Sequence, residues 1–216
     1  MTPVEVKICG LTSEVDAGLV IEGKSDYAGF VMFHPQSKRN IDGKTVAPLV
    51  SKLKENKIKT VAVTVSPKME QVQEIIDIGF DYIQIHGDIF HEVMENCSIP
   101  IIRAINLKTN DLEKIQKEID DLKEINKIYG ILFDAGMPGS GKVFDWNSLK
   151  GINAGDKKMF LAGGLTPLNV SSAICEVKPD VVDVSSGVEY DDASRVGKCK
   201  EKVMAFLCNA RKVRGK

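Results

Sequence analysis

The segment from Lys157 to Gly187, KKMFLAGGLTPLNVSSAICEVKPDVVDVSSG, decides the fold because it contains a complete strand–helix–strand unit. Two apolar runs of strand length, KKMFLAGG and DVVDVSSG, flank the helical pattern LTPLNVSSAICEV. Both runs are close to continuously apolar, as in strands of a parallel sheet that are buried on both faces. Thr and Pro stand where a helix amino terminus favours them. The segment therefore predicts a strand, a helix on the outside and a second, parallel strand.

The same order recurs along the whole chain. Six earlier apolar runs read VEVKIC, YAGFVMF, KTVAVTV, DYIQIHG, IPIIRAI and KIYGILFDA. Amphipathic patterns separate the runs. The clearest is TNDLEKIQKEIDDLKEINK, which has apolar residues at three- and four-residue spacing behind an Asn110/Asp111 cap. GLTSEVDAGLVIEG and SPKMEQVQEIIDIG also begin with Ser, Thr or Pro. Eight such units predict an α/β fold, a single (β/α)8 TIM barrel domain spanning residues 1–216; an open eight-stranded sheet is the alternative.

Composition narrows the class of partner. The formal net charge is −1, and no block of five or more Lys or Arg residues occurs, so the basic footprint of nucleic-acid binding is missing. No apolar run approaches the roughly 18 to 20 residues that span a bilayer. The start MTPVEVK lacks the basic flank and apolar core of a signal peptide. We expect a cytoplasmic chain, monomeric or homodimeric, that binds a small molecule and neither nucleic acid nor membrane.

The five cysteines do not form a recognisable framework. They are odd in number, scattered and without a CxxC pair, so the sequence predicts free thiols and no zinc site. The three histidines, His34, His86 and His91, are likewise too far apart in sequence from suitable partners to indicate a metal cluster. His86 ends the run DYIQIHG, where a polar side chain supporting the barrel mouth is the simpler interpretation.

Chemistry in such a barrel belongs at the carboxyl ends of the strands. Cys9 ends the first run, and Asp134 ends the sixth. From the residues alone, Cys9 is either an inert core thiol or a reactive group, and Asp134 is either an acid–base group or a cap. Arg39, in the loop PQSKRN, is expected at the same rim. Lys7 lies on the face of Cys9 but deeper in the barrel, and the pattern alone assigns it no role.

Three successive late runs end in glycine-rich turns: GMPGSGK after the sixth, AGGLTP after the seventh and SSGVE after the eighth. Backbone amides exposed near helix amino termini form anion sites, and barrels often hold phosphate in the loops after strands seven and eight. The residues concerned are Gly163, Gly164, Ser185, Ser186 and Gly187. They predict a phosphorylated substrate.

Read in order, the strand ends resemble the phosphoribosylanthranilate isomerases of tryptophan biosynthesis. The segments that carry the resemblance are KICGLT, GFVMFHPQSKRNI, IQIHGD, LFDAGMPGSGKVFDW, LAGGLTPLNV and VDVSSGVE. The family opens the furanose ring of N-(5-phosphoribosyl)anthranilate and isomerises the aminoaldose to an aminoketose, an Amadori rearrangement. The resemblance implies this reaction, with no metal and no organic cofactor.

The resemblance also implies residue roles. Asp134 is then the general acid that protonates the ring oxygen, and Cys9 is the general base that removes the C2 proton. Arg39 is expected to bind the anthranilate carboxylate. The remaining substrate-binding residues implied are His86, Ser140, Gly141, Gly163, Gly164, Asp183, Ser185, Ser186 and Gly187.

These roles make demands on the two reacting groups. Cys9 needs a useful thiolate fraction, which asks for a pKa below the reference of about 8.5, and Asp134 needs a raised pKa to carry a proton near neutrality. Two other functions remain open: the histidine-pathway phosphoribosyl isomerase, which performs the same rearrangement, and a phosphate-binding barrel without catalysis.

Overall fold

The computed structural model is a closed barrel of eight parallel strands in chain order, which confirms the barrel and excludes the open sheet. It describes residues 4–107, 112–134, 146–149, 151–192 and 194–213. Each of the eight predicted runs contains a strand. The strands are β1 (Glu5–Cys9), β2 (Tyr27–Val31), β3 (Lys59–Val65), β4 (Tyr82–His86), β5 (Ile101–Asn106), β6 (Ile128–Asp134), β7 (Lys158–Ala162) and β8 (Val181–Val184).

Helices follow the strands on the outside of the barrel. They are α1 (Glu14–Glu22), α2 (Gly43–Glu55), α3 (Met69–Ile78), α4 (His91–Asn96), α5 (Leu112–Lys123), α6 (Val170–Val177) and α7 (Lys200–Lys212), with short 3-10 helices at Trp146–Leu149 and Ser186–Val188. The predicted helix after β5 is confirmed as α5, while its expected Asn110/Asp111 cap lies outside the described residues. None of the helices in the described ranges is long and apolar enough to cross a membrane.

Two helices begin a few residues after the Ser, Thr or Pro with which their sequence patterns open. Helix α3 has Lys68 as its N-cap, because the Ser66 hydroxyl instead accepts a hydrogen bond from the amide of Asp88 in the loop after β4, 2.8 Å away. Helix α6 has Asn169 as its N-cap, because Thr166 begins a preceding turn in which its amide donates to Asn169 Oδ1 at 2.7 Å. Polar residues near a helix start thus served the neighbouring loops.

The strands are apolar on both faces because each face packs against a different layer. Their outward side chains join the helices in the main core, as Ile8, Phe30 and Ile131 do. Their inward side chains fill the barrel, as Tyr27 and Phe160 do. All strands run the same way, so the last residues of β1, β4 and β6 lie at one end of the barrel. This end carries Cys9, His86 and Asp134.

Candidate active site

Cys9 lies inside the barrel mouth, with 8% of its surface exposed. Its partner in the ladder on β2 is Gly29. A Cβ atom at Gly29 would lie 2.9 Å from Cys9 Sγ and 3.2 Å from Lys7 Cε. The missing side chain therefore leaves the space in which the Lys7 and Cys9 side chains lie next to each other.

Lys7 is completely buried and forms an ion pair across the ladder to β8. Its Nζ donates to Asp183 Oδ2 at 2.7 Å and to Gln84 Oε1 at 2.9 Å. Asp183 Oδ1 is also buried, and no partner for it exists within the described ranges. Strand pairing sets this arrangement, because Lys7 lies directly opposite Asp183 in the register of β1 and β8.

His86 supports this pair from β4. Since Gln84 directs its carbonyl oxygen at Lys7, its amide nitrogen is the donor to His86 Nε2, 2.8 Å away. The imidazole is then a neutral acceptor. Burial, followed by the positive charge of Lys7, lowers the pKa of His86 to about 4, which keeps the ring neutral at physiological pH.

The electrostatics of Cys9 differ from the expectation for a ready thiolate. Burial raises the pKa of the Cys9 thiol above its ordinary value, although the positive charges of Lys7 and Lys198 act in the opposite direction. Burial likewise raises the pKa of Asp183, against the effect of Lys7 and with the help of the negative charge of Asp134. Cys9, Lys7, Asp183 and Asp134 are therefore one coupled group of charges.

Arg39 lies beside Cys9, as the sequence predicts. Its Cδ atom would be 2.4 Å from a Cβ at Gly10, and Ser185 Oγ would be 3.0 Å from the same point. Its Nε donates to Glu189 Oε1 at 2.5 Å. Burial alone would raise the pKa of Glu189, but hydrogen bonds from Arg39 and Lys38 lower it to about 2. Glu189 is therefore ionised at physiological pH, and its carboxylate holds Arg39 at the rim.

Sequence reasoning missed Lys198, which lies in a segment without an apolar pattern. Its side chain is fully buried, and its Nζ lies 3.2 Å from both Glu189 Oε1 and the Ser185 carbonyl oxygen. Asp16 anchors this segment, because its two carboxylate oxygens accept hydrogen bonds from the amides of Lys198 and Thr12. Lys198 therefore brings positive charge to the back of the loop after β8.

The loops after β7 and β8 are in direct contact. A Cβ at Gly187 would lie 1.9 Å from the carbonyl oxygen of Leu165, so only glycine permits this approach. The backbone amides of Gly164, Ser186 and Gly187 have no acceptor within the described part of the chain. Such unpaired amides at adjacent strand ends can receive the oxygens of a phosphate group.

The structure does not place every predicted residue. Ser140 and Gly141, in the loop GMPGSGK, lie outside the described residues, and their roles stay predictions. Asp183 contacts the lysine in the barrel interior, and His86 contacts it only through Gln84. The other predicted residues lie in the two adjoining loops and are Gly163, Gly164, Ser185, Ser186 and Gly187. Among the described residues, no group of His, Cys, Asp or Glu has the arrangement of a metal site.

A closed (β/α)8 barrel with adjoining glycine turns after its seventh and eighth strands is of the class that handles small phosphorylated molecules. Within this class, the family model for N-(5'-phosphoribosyl)anthranilate isomerase matches residues 6–205. The chain belongs to this family.

Individual relatives agree over nearly full length. The chain is 35% identical over 209 residues to an N-(5'-phosphoribosyl)anthranilate isomerase of Streptococcus mutans, covering 96% of this chain and 99% of the relative. The solved phosphoribosyl anthranilate isomerase of Thermotoga maritima superposes with a TM-score of 0.83 at 31% identity, covering 97% and 99%. A further solved isomerase, in complex with reduced 1-(o-carboxyphenylamino)-1-deoxyribulose 5-phosphate, gives a TM-score of 0.79 at 30% identity, with the same coverage.

Proposed function

We infer that this chain isomerises N-(5-phosphoribosyl)anthranilate to 1-(2-carboxyphenylamino)-1-deoxyribulose 5-phosphate in tryptophan biosynthesis. The mechanism rests on the order of the strands around the barrel. The barrel runs β6, β7, β8 and β1, so the two loops with unpaired amides lie between the strand of Asp134 and the strand of Cys9. A substrate bound there by its phosphate would have a carboxyl group on one side and a thiol on the other.

The protein binds the substrate by its two anionic groups, the phosphate and the carboxylate. The phosphate is received by the amides of Gly164, Ser186 and Gly187, and the nearby charge of Lys198 makes their loop electropositive. The carboxylate of the anthranilate ring pairs with the guanidinium of Arg39. Glu189 holds that guanidinium through Nε, which fixes its plane before the substrate arrives.

Asp134 starts the reaction as the general acid. It donates a proton to the furanose ring oxygen, the C1–O bond breaks, and the anthranilate nitrogen supplies the electron pair that forms the C1=N bond. The resulting iminium makes the C2 proton acidic. Asp134 is close enough to Asp183 for its negative charge to contribute to the raised pKa of Asp183.

Cys9 then removes the C2 proton as the general base. The C2–H electron pair becomes a C1=C2 bond, and the C1=N pair returns to nitrogen. The enolamine formed in this way tautomerises to the ketone product. General acid and general base steps typically contribute about 10²- to 10⁴-fold each, so both groups should be needed for turnover and neither for folding.

The test is an assay of the purified protein on substrate made in place. Anthranilate and phosphoribosyl pyrophosphate are combined with the matching transferase, and loss of phosphoribosylanthranilate fluorescence is followed with wild type, Cys9→Ser and Asp134→Asn. We expect consumption by wild type that collapses in both folded variants and does not change with EDTA. No consumption by folded wild type would contradict the isomerase and favour the histidine-pathway substrate or a non-catalytic barrel.

Two further properties belong to the proposal. The substrate and product are small charged metabolites, and we place the reaction in the cytoplasm. A solved relative of Thermotoga maritima is described as monomers of a dimeric isomerase, so the monomer and the homodimer are both candidates here. Light scattering of the purified protein at assay concentration distinguishes them by mass.

A further inference from the structure

The Lys7 ammonium group is buried next to the proposed base without any part in the scheme above. Its side chain is completely inaccessible to solvent. This burial is costly, because the ammonium group loses all of its hydration. One carboxylate, Asp183, compensates the charge, and Gln84 takes a second proton of the ammonium. A charge in this position calls for an explanation other than stability, because buried ion pairs are often no more stabilising than apolar residues of similar volume.

The side chain of Lys7 lies next to that of Cys9. The two residues are two positions apart on one strand, so their side chains lie on the same face, and Gly29 on β2 has no side chain that would separate them. The position of a Cβ at Gly29 would be 2.9 Å from Cys9 Sγ and 3.2 Å from Lys7 Cε, and the Lys7 charge favours the thiolate form of Cys9. Lys7 therefore donates to one anion and to one neutral amide, and its side chain lies beside the thiol.

We propose that Lys7 is a positioning residue whose buried ammonium group stabilises the thiolate of Cys9 and directs its sulfur lone pair at the C2 proton. The proposal deepens the isomerase function and rests on it. Gln84, fixed by the neutral ring of His86, and Asp183 hold the ammonium in place. His86 and Asp183 thus act through Lys7 on Cys9, at one remove from the substrate.

The proton balance of this arrangement closes. Before substrate binds, the Cys9 thiol releases its proton to solvent, and Lys7 keeps all three of its own. In the complex the thiolate accepts the C2 proton and becomes a thiol again, while the C2–H electron pair forms the C1=C2 bond. Lys7 offsets the effect of burial on the thiol, which brings the base closer to the working pH, where a general base is most effective.

Several charged groups act on Cys9, and among the cations Lys7 has the largest effect on the pKa of the thiol. Asp183 on β8 opposes the thiolate, Lys198 before α7 favours it, and β2 contributes no charge at Gly29. Arg39 and Glu189 pair with each other beside Lys198. Removal of Lys7 should therefore change the thiol more than removal of any other single cation.

The direct test is the rate of Cys9 alkylation by iodoacetamide in the free protein as a function of pH, followed by mass spectrometry of the Cys9 peptide. In Lys7→Met we expect the midpoint of the alkylation profile to move upward by about 1 to 2 pH units. The kcat should fall by about 10²-fold with little change in KM, and the limb of the kcat/KM profile that belongs to the base should move in the same direction. A folded Lys7→Met with an unchanged alkylation midpoint would overturn the proposal.

Two further variants keep the test decisive. Lys7→Met leaves the Asp183 carboxylate buried and unpaired, so Lys7→Met/Asp183→Asn serves if the single variant does not fold. Its midpoint should still rise, but less, because the negative charge that opposes the thiolate is removed as well; no rise would overturn the proposal. Lys59→Met is the matched control, since Lys59 reaches into the other end of the barrel, and its Cys9 profile should equal that of wild type.

The alkylation experiment needs no substrate. An upward shift in a protein whose wild type does not consume phosphoribosylanthranilate would therefore contradict the isomerase function alone. An active wild type with no shift in the folded variants would contradict the role of Lys7 alone.

Discussion

The two ends of the barrel interior contain the same kinds of group, but these groups differ in solvent exposure and in pairing. The amino-end cluster consists of Glu5, Tyr27, Lys59, Tyr129 and Lys158. The carboxyl-end cluster consists of Lys7, Cys9, Gln84, His86 and Asp183. Each places a lysine against a carboxylate inside a ring of strands. The two lysines differ in exposure, since the side chain of Lys7 is 0% exposed and that of Lys59 is 38% exposed.

The pairing of the carboxylates indicates that the amino-end cluster contributes to stability and the carboxyl-end cluster to chemistry. In the amino-end cluster both oxygens of Glu5 have a lysine partner, Lys59 and Lys158, and the Tyr27 hydroxyl lies 3.1 Å from that of Tyr129. In the carboxyl-end cluster one oxygen of Asp183 has no partner in the described ranges. Groups that are completely satisfied hold a structure, whereas groups left with unused capacity in a dry site can respond to a substrate.

The strongest way to break this comparison is Cys9→Ser. A hydroxyl is a far weaker base than a thiol, so activity should fall by about 10²- to 10⁴-fold, while the thermal midpoint changes little. Cys97→Ser is the matched control, because Cys97 is also buried but its sulfur donates to the carbonyl of Ile99, before β5 and away from the rim. Equal activity losses in the two variants would mean that buried thiols matter here only for packing.

Gly29→Ala tests the space shared by Lys7 and Cys9. The added methyl group would lie 2.9 Å from Cys9 Sγ and must displace it, and a displacement of about 1 Å costs about 10²-fold in rate. Gly18→Ala in α1 is the control, because a Cβ there meets nothing within 4 Å and alanine favours a helix. Full activity of Gly29→Ala with an intact fold would show that the side-by-side arrangement is not needed.

Arg39→Lys sharpens the comparison at the rim. A lysine keeps the charge but loses the planar pair of donors and the Nε contact to Glu189, so KM should rise by about tenfold or more with a smaller change in kcat. Lys38→Met is the control, since Lys38 pairs with the same carboxylate but its side chain is 70% exposed. Steady-state kinetics with both variants measures the effect, and an unchanged KM for Arg39→Lys would remove Arg39 from substrate binding.

Glu5→Gln has the smallest effect on activity and a measurable effect on stability. We expect the free energy of unfolding to fall by about 1–2 kcal/mol at pH 7, with kcat and KM unchanged. Burial opposes the charge, but Lys158 and Lys59 lower the pKa of Glu5 below 4.5, so its contribution is present above pH 4.5 and is lost as the pH falls through the folded-state pKa. Urea unfolding of both proteins should therefore converge in acid, and a difference that grows in acid would contradict this sign.

The sequence was sufficient to predict the barrel and the ends of its strands. A strand buried on both faces is a short apolar run, and the last polar residue of such a run lies at the rim, which located Cys9, His86 and Asp134. Charge pairs across strands could not be predicted in this way. Lys7 meets Asp183 only through the register of β1 with β8, 176 residues apart in the chain, so the apolar pattern does not reveal the pair.

The same limit explains the remaining differences. Lys198 and Glu189 are buried by the close packing of the loop after β8, which no periodicity indicates. The upward direction of the Cys9 pKa shift comes mainly from burial, which the sequence pattern does not reveal, whereas the role of Cys9 asks for a lowered pKa. The thiol is buried, and in the proposed mechanism the base needs the cations around it.

The most direct test of the account is a crystal structure of this protein with reduced 1-(o-carboxyphenylamino)-1-deoxyribulose 5-phosphate. We predict the phosphate on the amides of Gly164, Ser186 and Gly187, and the carboxylate on Arg39. The C2 atom should lie about 3 to 3.5 Å from the sulfur of Cys9, the range for a reacting pair. A ligand whose C2 atom lies out of reach of Cys9, or whose phosphate binds outside these two loops, would contradict the account.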